Sequence, residues 1–120
     1  ATPPAGTDPS FSNVAWGTNR PLRYSVRVEP GSRRLIALGF CESYKSTPGA
    51  RIMTAEIEGD TLRDVDPMAG GKRNQPVVLL TAGRDVNHDG VLTITVHPSP
   101  RSPDPNIILN TFWVFPADAR

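Results

Sequence analysis

Val77–Val96, with the sequence VVLLTAGRDVNHDGVLTITV, contains the two clearest strand signals of the chain. Val77–Thr81 and Val91–Val96 are runs of β-branched and aliphatic residues, which favour strands because such side chains pack well on a pleated sheet. Asp89-Gly90, just before the second run, is a dipeptide typical of a tight hairpin turn. The stretch therefore predicts two antiparallel strands joined by Ala82–Gly90.

Further short apolar runs lie on both sides of this hairpin. They predict strands at Tyr24–Val28, Leu35–Cys41, Arg51–Glu58, Thr61–Val65 and Ile107–Phe115. Turn residues separate the runs, at the spacing of about 8–12 residues that is typical of β-sandwiches and barrels. The 13 prolines and 10 glycines among 120 residues disfavour long helices. The predicted fold class is all-β, with an antiparallel β-sandwich favoured over a barrel.

Composition and charge exclude several classes of function. The 13 Lys and Arg residues nearly balance 12 Asp and Glu, and the net charge of +1 predicts no nucleic-acid partner. The sequence contains no apolar stretch long enough to cross a bilayer, so we expect no membrane insertion. Cys41 is the only cysteine, which excludes an internal disulfide and, with two histidines, a zinc site of four Cys or His ligands.

Two segments differ in composition from the strand-rich part. Residues 1–13, ATPPAGTDPSFSN, are rich in Pro, Ser and Thr, so they are interpreted as a linker or an N-terminal arm. Pro98–Asn106 contains four prolines and is predicted to be a loop, because proline does not fit inside a sheet. The domain itself is assigned to residues 14–120.

The hairpin loop also resembles half of a calcium-binding loop. Asp85, Asn87 and Asp89 followed by Gly90 match the pattern D-x-N-x-D-G. The twelfth position of that loop is Val96, where calcium binding needs a bidentate glutamate. The hairpin turn explains the Asp-Gly pair without a metal. We therefore expect no cofactor, and calcium is kept as the weaker alternative.

Two sets of residues are considered for catalysis. Cys41, His88 and Asp85 supply the residue types of a nucleophile, a base and an orienting carboxylate. Asp64 and Asp66 lie on one face of a predicted strand, about 6–7 Å apart, and have the residue type of glycosidase carboxylates. Neither set lies in a recognisable local motif. The sequence therefore predicts a protein that is not an enzyme.

Aromatic residues supply the candidates for binding a sugar, because flat rings stack on the C–H faces of pyranoses. Trp16 and Tyr44 have polar neighbours in the sequence, so we expect both rings to be exposed. Trp113 lies in the apolar run Ile107–Phe115 and is predicted to belong to the core.

Eight pieces of sequence follow one another in a characteristic order. They are Tyr24–Val28, Pro30-Gly31, Phe40–Glu42 before Ser43-Tyr44, Gly49–Arg51, Ile57–Gly59, Arg63–Asp66, Asp89–Ile94 and Ile107–Phe115. In this order and spacing the chain resembles the malectin and malectin-like carbohydrate-binding family. The resemblance implies a jelly-roll-like sandwich of two antiparallel sheets, similar to galactose-binding domains, with a glycan site in loops at one end.

The resemblance also implies site residues. In malectin a gluco-oligosaccharide is held by aromatic residues and an acidic residue, and the corresponding positions here are Tyr24, Tyr44 and Asp104. Trp16 is a further candidate sugar-binding residue, because its polar neighbours in the sequence predict an exposed ring. Lys45 replaces a second aromatic residue of the family pattern.

Two functions from different classes follow from this resemblance. The first is a non-catalytic module that binds an oligosaccharide or polysaccharide and is one domain of a larger bacterial protein, with other domains of that protein as further partners. Its expected location is extracellular, periplasmic or on the cell surface. The alternative is a structural or protein-interaction β-sandwich that has lost the sugar site, and the replacement at Lys45 is the feature that favours it.

Overall fold

A computed structural model describes residues 1–18, 20–69 and 71–116 of the chain. These residues form nine strands and one short 3-10 helix at Pro9–Ser12. The strands are β1 Ala15–Thr18, β2 Leu22–Arg27, β3 Arg33–Cys41, β4 Met53–Ile57, β5 Asp60–Val65, β6 Pro76–Arg84, β7 Val91–Pro98, β8 Asn106–Leu109 and β9 Thr111–Val114. Within the described ranges, no helix has the length and hydropathy needed to cross a membrane.

The strands form three antiparallel sheets. The four-stranded sheet has the order β2-β7-β4-β5, the three-stranded sheet has the order β6-β3-β9, and β1 pairs with β8. Every strand pair is antiparallel. The prediction of an all-β antiparallel sandwich is therefore confirmed.

The hydrophobic core lies between the four-stranded and three-stranded sheets, and the period of two along each strand determines which residues enter it. On β3 the inward residues are Ile36, Leu38 and Phe40, and all three are fully buried. On β7 the inward residues Leu92 and Ile94 are also fully buried. Burying a side chain of this kind contributes about 1.5–3 kcal/mol, so this face of each strand stabilises the fold.

The closing apolar run differs from its prediction. Ile107–Phe115 was expected to be one strand, and this is wrong because the run is divided at Asn110. The part before Asn110, β8, pairs with β1, whereas the part after it, β9, pairs with β3. The same chain segment therefore belongs to two sheets, with the change of sheet at a polar residue.

The Asn110 side chain stabilises this change of sheet. Its Oδ1 accepts a hydrogen bond from the Cys41 amide at 2.8 Å. Its Nδ2 donates to the carbonyl oxygens of Phe11 at 3.1 Å and Asn13 at 2.7 Å. One amide group thus joins the end of β3 to the N-terminal segment that precedes β1.

Residues 1–13 contact the outer face of the three-stranded sheet. Phe11 is buried, and its ring lies at 6.1 Å from that of Trp113. Gly39 makes this approach possible, because a Cβ there would lie 3.0 Å from two Phe11 ring carbons. Trp113 is half-buried under Phe11 on this outer face, so its predicted place in the central core is wrong. The domain boundary at residue 14 stays a prediction.

We expect Asn110→Ala to destabilise the fold by about 2 kcal/mol, because it removes hydrogen bonds to backbone groups that are then left unpaired. Urea denaturation followed by tryptophan fluorescence measures this change. Asn87→Ala is the matched control, since Asn87 is exposed and should change stability by less than about 0.5 kcal/mol. Equal stability of the Asn110 variant and the wild type would contradict the role given to this side chain.

Candidate functional site

A cleft of about 390 Å³ lies at the end of the sandwich where β3 ends and β8 begins. Its volume falls in the range of pockets that hold small organic ligands. Strand β1, the loop after β3 and the loop before β8 all contribute side chains. The lining residues are Trp16, Thr18, Tyr44, Lys45, Arg51, Asp104, Asn106 and Ile108.

Two exposed aromatic side chains line the cleft. Trp16 is on β1, opposite Ile108 of β8, and its side chain faces solvent with 64% exposure. Tyr44 follows the end of β3 and is 62% exposed. Both residues therefore offer a ring face to a bound molecule, and their predicted exposure is confirmed.

A buried ion pair lies at the base of the cleft. Arg51 Nε and Nη2 donate to the two carboxylate oxygens of Glu42 at 2.7 and 3.3 Å, and both side chains are almost completely buried. Arg51 Nη1 also donates to the carbonyl oxygen of Asn106 at 3.0 Å. Glu42 in turn accepts from the Tyr44 amide at 3.2 Å. The pair thus holds the loop that carries Tyr44 against β8.

Asp104 is a nearly buried carboxylate that also lines the cleft. One of its oxygens lies 2.5 Å from Lys45 Nζ, and the other accepts from the Asn106 amide at 2.8 Å. Burial raises the pKa of this carboxyl group, but the Lys45 and Asn106 hydrogen bonds and the charge of Arg51 outweigh it and lower the pKa below its usual value. Asp104 is therefore ionised at neutral pH and held in one position.

The structure brings together three of the four predicted sugar-binding residues. Trp16, Tyr44 and Asp104 all line the cleft. Tyr24 is not among the lining residues; it lies on β2 and its ring packs against Phe112 at 5.1 Å, beside the central core. Tyr24 thus contributes to packing between the sheets.

Sequence reasoning missed four polar residues of the cleft, Thr18, Lys45, Arg51 and Asn106. For two of them the sequence contained a signal that could have identified them. Arg51 belongs to the Gly49–Arg51 piece of the family pattern, and Lys45 was noted as a replacement within it. Asn106 had no such signal, and its Oδ1 is buried without a hydrogen-bond partner among the described residues.

The prediction that Val77–Thr81 and Val91–Val96 form one hairpin is wrong, because β6 pairs with β3 and β7 pairs with β2 and β4 in a different sheet. The half-loop that resembles a calcium site lies in the connection between these two sheets and organises it through backbone amides. Asp85 is completely buried and accepts hydrogen bonds from the amides of Gly31 at 3.0 Å and Gly90 at 2.8 Å. Burial raises the pKa of Asp85, but these amide hydrogen bonds outweigh it and lower the pKa below its usual value. Asn87 and Asp89 accept from amides within the same loop. All three candidate ligands therefore have structural partners.

Glu58 completes a cluster of carboxylates at this loop. One oxygen each of Glu58, Asp85 and Asp89 lie within 4.8 Å of one another. Glu58 also accepts from the Val86 amide at 2.9 Å. Through Glu58, the cluster holds the loop to the end of β4. Calcium binding at this loop stays the weaker alternative to the prediction of no cofactor.

The candidate triad of Cys41, His88 and Asp85 does not form a site. Asp85 lies beside the start of β3, since its amide donates to Ser32, whereas Cys41 is at the far end of β3, about 26 Å away along the strand. Burial is the main cause that raises the pKa of the Cys41 thiol. Asp66 accepts from the Gly49 and Met68 amides and so shapes a loop.

The fold is shared with solved ectodomains of plant receptor-like kinases. The ANX2 ectodomain from Arabidopsis thaliana aligns with a TM-score of 0.73 and 18% sequence identity over 85% of this chain and 32% of that chain. The plant receptor-like kinase FER aligns with a TM-score of 0.77 and 20% identity over 93% of this chain and 35% of that chain. No protein-family model matches the sequence, and no curated protein matches it significantly.

These likenesses define the class of fold as a malectin-like β-sandwich, so the resemblance predicted from the order of motifs is confirmed at the level of fold. The chain spans about a third of the length of the ectodomains it matches. The solved neighbours are plant proteins, and they give no support to the expectation of a bacterial member.

We expect Glu42→Ala to destabilise the protein by about 3–5 kcal/mol, because the buried Arg51 guanidinium then lacks its counter-charge. Thermal and urea denaturation measure this change. Glu56→Ala is the matched control: its side chain is 58% exposed, and its contact with His97 contributes at most about 1 kcal/mol. A Glu42 variant as stable as the control would show that the buried pair does not stabilise the fold.

We expect removal of divalent cations with a chelator to leave the melting temperature unchanged, because backbone amides already occupy the oxygens of Asp85. Differential scanning calorimetry with chelator and with added calcium measures this. A rise of about 5 °C with calcium, equivalent to about 1 kcal/mol for a domain of this size, would contradict the prediction.

Proposed function

We propose that this chain is a non-catalytic, extracellular binding domain and that its cleft holds an oligosaccharide. One observation carries the proposal: Trp16 and Tyr44, the two most exposed aromatic residues, line the same cleft as the fixed carboxylate of Asp104. Exposing two large rings is unfavourable in water, so their common position next to buried charges supports a binding role.

The chemistry of the cleft suits a sugar. A pyranose has an apolar face of C–H groups that stacks on an aromatic ring, and a rim of hydroxyl groups that need donors and acceptors. Asp104 offers acceptor oxygens with strong hydrogen bonds because it is charged, and Lys45 offers donors beside it. Asn106 also lines the cleft and adds a polar side chain to it.

The comparisons with solved structures support the proposal that this is an extracellular domain. The solved neighbours with this fold are ectodomains of receptor-like kinases, and this chain aligns with about a third of each. We infer that the domain acts as one part of a larger extracellular protein. FER has been crystallised in complex with the peptide RALF23 and with LLG2, which makes a peptide or protein ligand the second candidate.

We expect Tyr44→Ala to weaken binding of gluco-oligosaccharides about tenfold, which is about 1–2 kcal/mol for the loss of a stacked ring. Asp104→Ala should weaken binding by a similar factor through the loss of charge-assisted hydrogen bonds. Titration followed by the fluorescence of the exposed Trp16 measures both affinities.

Tyr44→Phe is the matched control, because it keeps the ring and should keep most of the affinity. Urea denaturation checks that Tyr44→Ala remains folded, as its exposure predicts. If the wild type binds no oligosaccharide below millimolar concentration, the sugar hypothesis is wrong and the peptide or protein ligand replaces it.

A further inference from the structure

Every charged side chain that lines the cleft has a partner of opposite charge. The charged residues of the lining are Lys45, Arg51 and Asp104. Lys45 Nζ lies 2.5 Å from Asp104 Oδ2, and Arg51 Nε lies 2.7 Å from Glu42 Oε1. Two cations are thus paired with two carboxylates, and their formal charges sum to zero. A ligand that enters the cleft therefore meets strongly polar groups that carry no net charge.

Arg51 is not available to a negatively charged ligand. Its side chain is only 4% exposed, and its Nε and Nη2 donate to the two carboxylate oxygens of Glu42. Its Nη1 donates to the carbonyl oxygen of Asn106 at 3.0 Å. A carboxylate or sulfate group from a ligand would have to displace Glu42 from this position. That exchange would leave a buried carboxylate without its counter-charge, which is strongly unfavourable.

Lys45 is the more accessible cation, but it lies against a carboxylate. Its side chain is 34% exposed, whereas that of Asp104 is 11% exposed. Burial raises the pKa of Asp104, but hydrogen bonds and the nearby cations lower it by more, so this carboxylate is negative at neutral pH. An anionic group that approaches Lys45 therefore also approaches the negative charge of Asp104. Like charges at such short range repel, and this repulsion offsets the attraction to the ammonium group.

Hydroxyl groups can use the same pair without breaking it. An ammonium group has three N–H donors, and a carboxylate oxygen accepts more than one hydrogen bond. Two neighbouring hydroxyl groups of a pyranose can therefore bridge the pair, one accepting from Lys45 Nζ and the other donating to Asp104. Both hydrogen bonds involve an ionised group, which makes them stronger than hydrogen bonds between neutral groups. The intact ion pair thus favours an uncharged ligand that is rich in hydroxyl groups.

We propose that the Lys45–Asp104 ion pair makes the cleft selective for neutral sugars and excludes sugars that carry a carboxylate or a sulfate group. This inference rests on the proposed binding of an oligosaccharide in the cleft and adds the chemical class of that oligosaccharide. The two members of the pair determine specificity together. Asp104 repels an anionic sugar, and its contact with Lys45 prevents the ammonium group from acting as an unpaired cation.

Two matched ligands test the selectivity. The first is a neutral gluco-oligosaccharide, and the second is the same oligosaccharide with its C6 hydroxymethyl groups oxidised to carboxylates. Isothermal titration calorimetry at neutral pH measures both affinities, and the wild type should bind the neutral ligand about tenfold more tightly or better. Equal affinities, or tighter binding of the oxidised ligand, would overturn the selectivity and leave oligosaccharide binding in place. Binding of neither ligand would overturn the proposed function itself, and the selectivity with it.

Asp104→Asn tests the role of the ion pair. It removes the negative charge at nearly constant size, so Lys45 Nζ becomes available to a carboxylate. The affinity for the oxidised ligand should rise about tenfold, while that for the neutral ligand should fall. The gain should be lost in about 0.5 M NaCl, because salt screens the attraction between exposed charges. A variant that gains no affinity for the oxidised ligand would overturn the role given to the pair.

Glu56→Gln is the matched control, since it makes the same change of charge outside the cleft. Glu56 is 58% exposed and is not among the lining residues, so both affinities should stay at their wild-type values. A similar gain in this control would show that net charge, not the Lys45–Asp104 pair, determines the preference. Circular dichroism checks that each variant is folded. The comparison of the two ligands on the wild type decides the selectivity even where Asp104→Asn does not fold.

Discussion

The cleft depends on one buried ion pair, Arg51 with Glu42. Its members come from the two ends of the long loop after β3, and Arg51 also reaches the backbone of β8. Two charges without water are stable in a protein only when each meets the other with good geometry and the remaining donors are used. That requirement fixes the loop ends, and with them the positions of Tyr44 and Lys45 beside Asp104.

Most of the fold was predictable because local signals and tertiary contacts agree. The alternation of residues on β2 and the apolar runs of β3, β6 and β7 were predicted as strands, and all four are strands in the structure. The break at Asn110 was not predictable, because the surrounding run reads as one apolar strand. Its cause is a set of hydrogen bonds to Cys41 and the N-terminal segment, which are far away in the sequence.

The candidate site was predictable to a smaller degree. Trp16 and Tyr44 were predicted to be exposed because their neighbours in the sequence are polar. This is a local property of the sequence, and both side chains are exposed in the structure. Tyr24 was assigned to the site from the family pattern. Its strand period places it on the same face as Val26, and that face is packed against the core. Arg51 was noted as part of the Gly49–Arg51 motif. Its role in holding the loop depends on the ion pair with Glu42, and no sequence pattern predicts that these two residues pair.

The attachment of both terminal segments to β3 has a mechanical consequence. Residues 1–13 are held to the end of β3 through Asn110, and β9 is hydrogen-bonded along β3 in the same sheet. Tension between these two segments loads the β3–β9 ladder before it reaches the four-stranded sheet. Under such tension we expect the sheet of β6, β3 and β9 to lose its pairing before the sheet that contains β2, β7, β4 and β5.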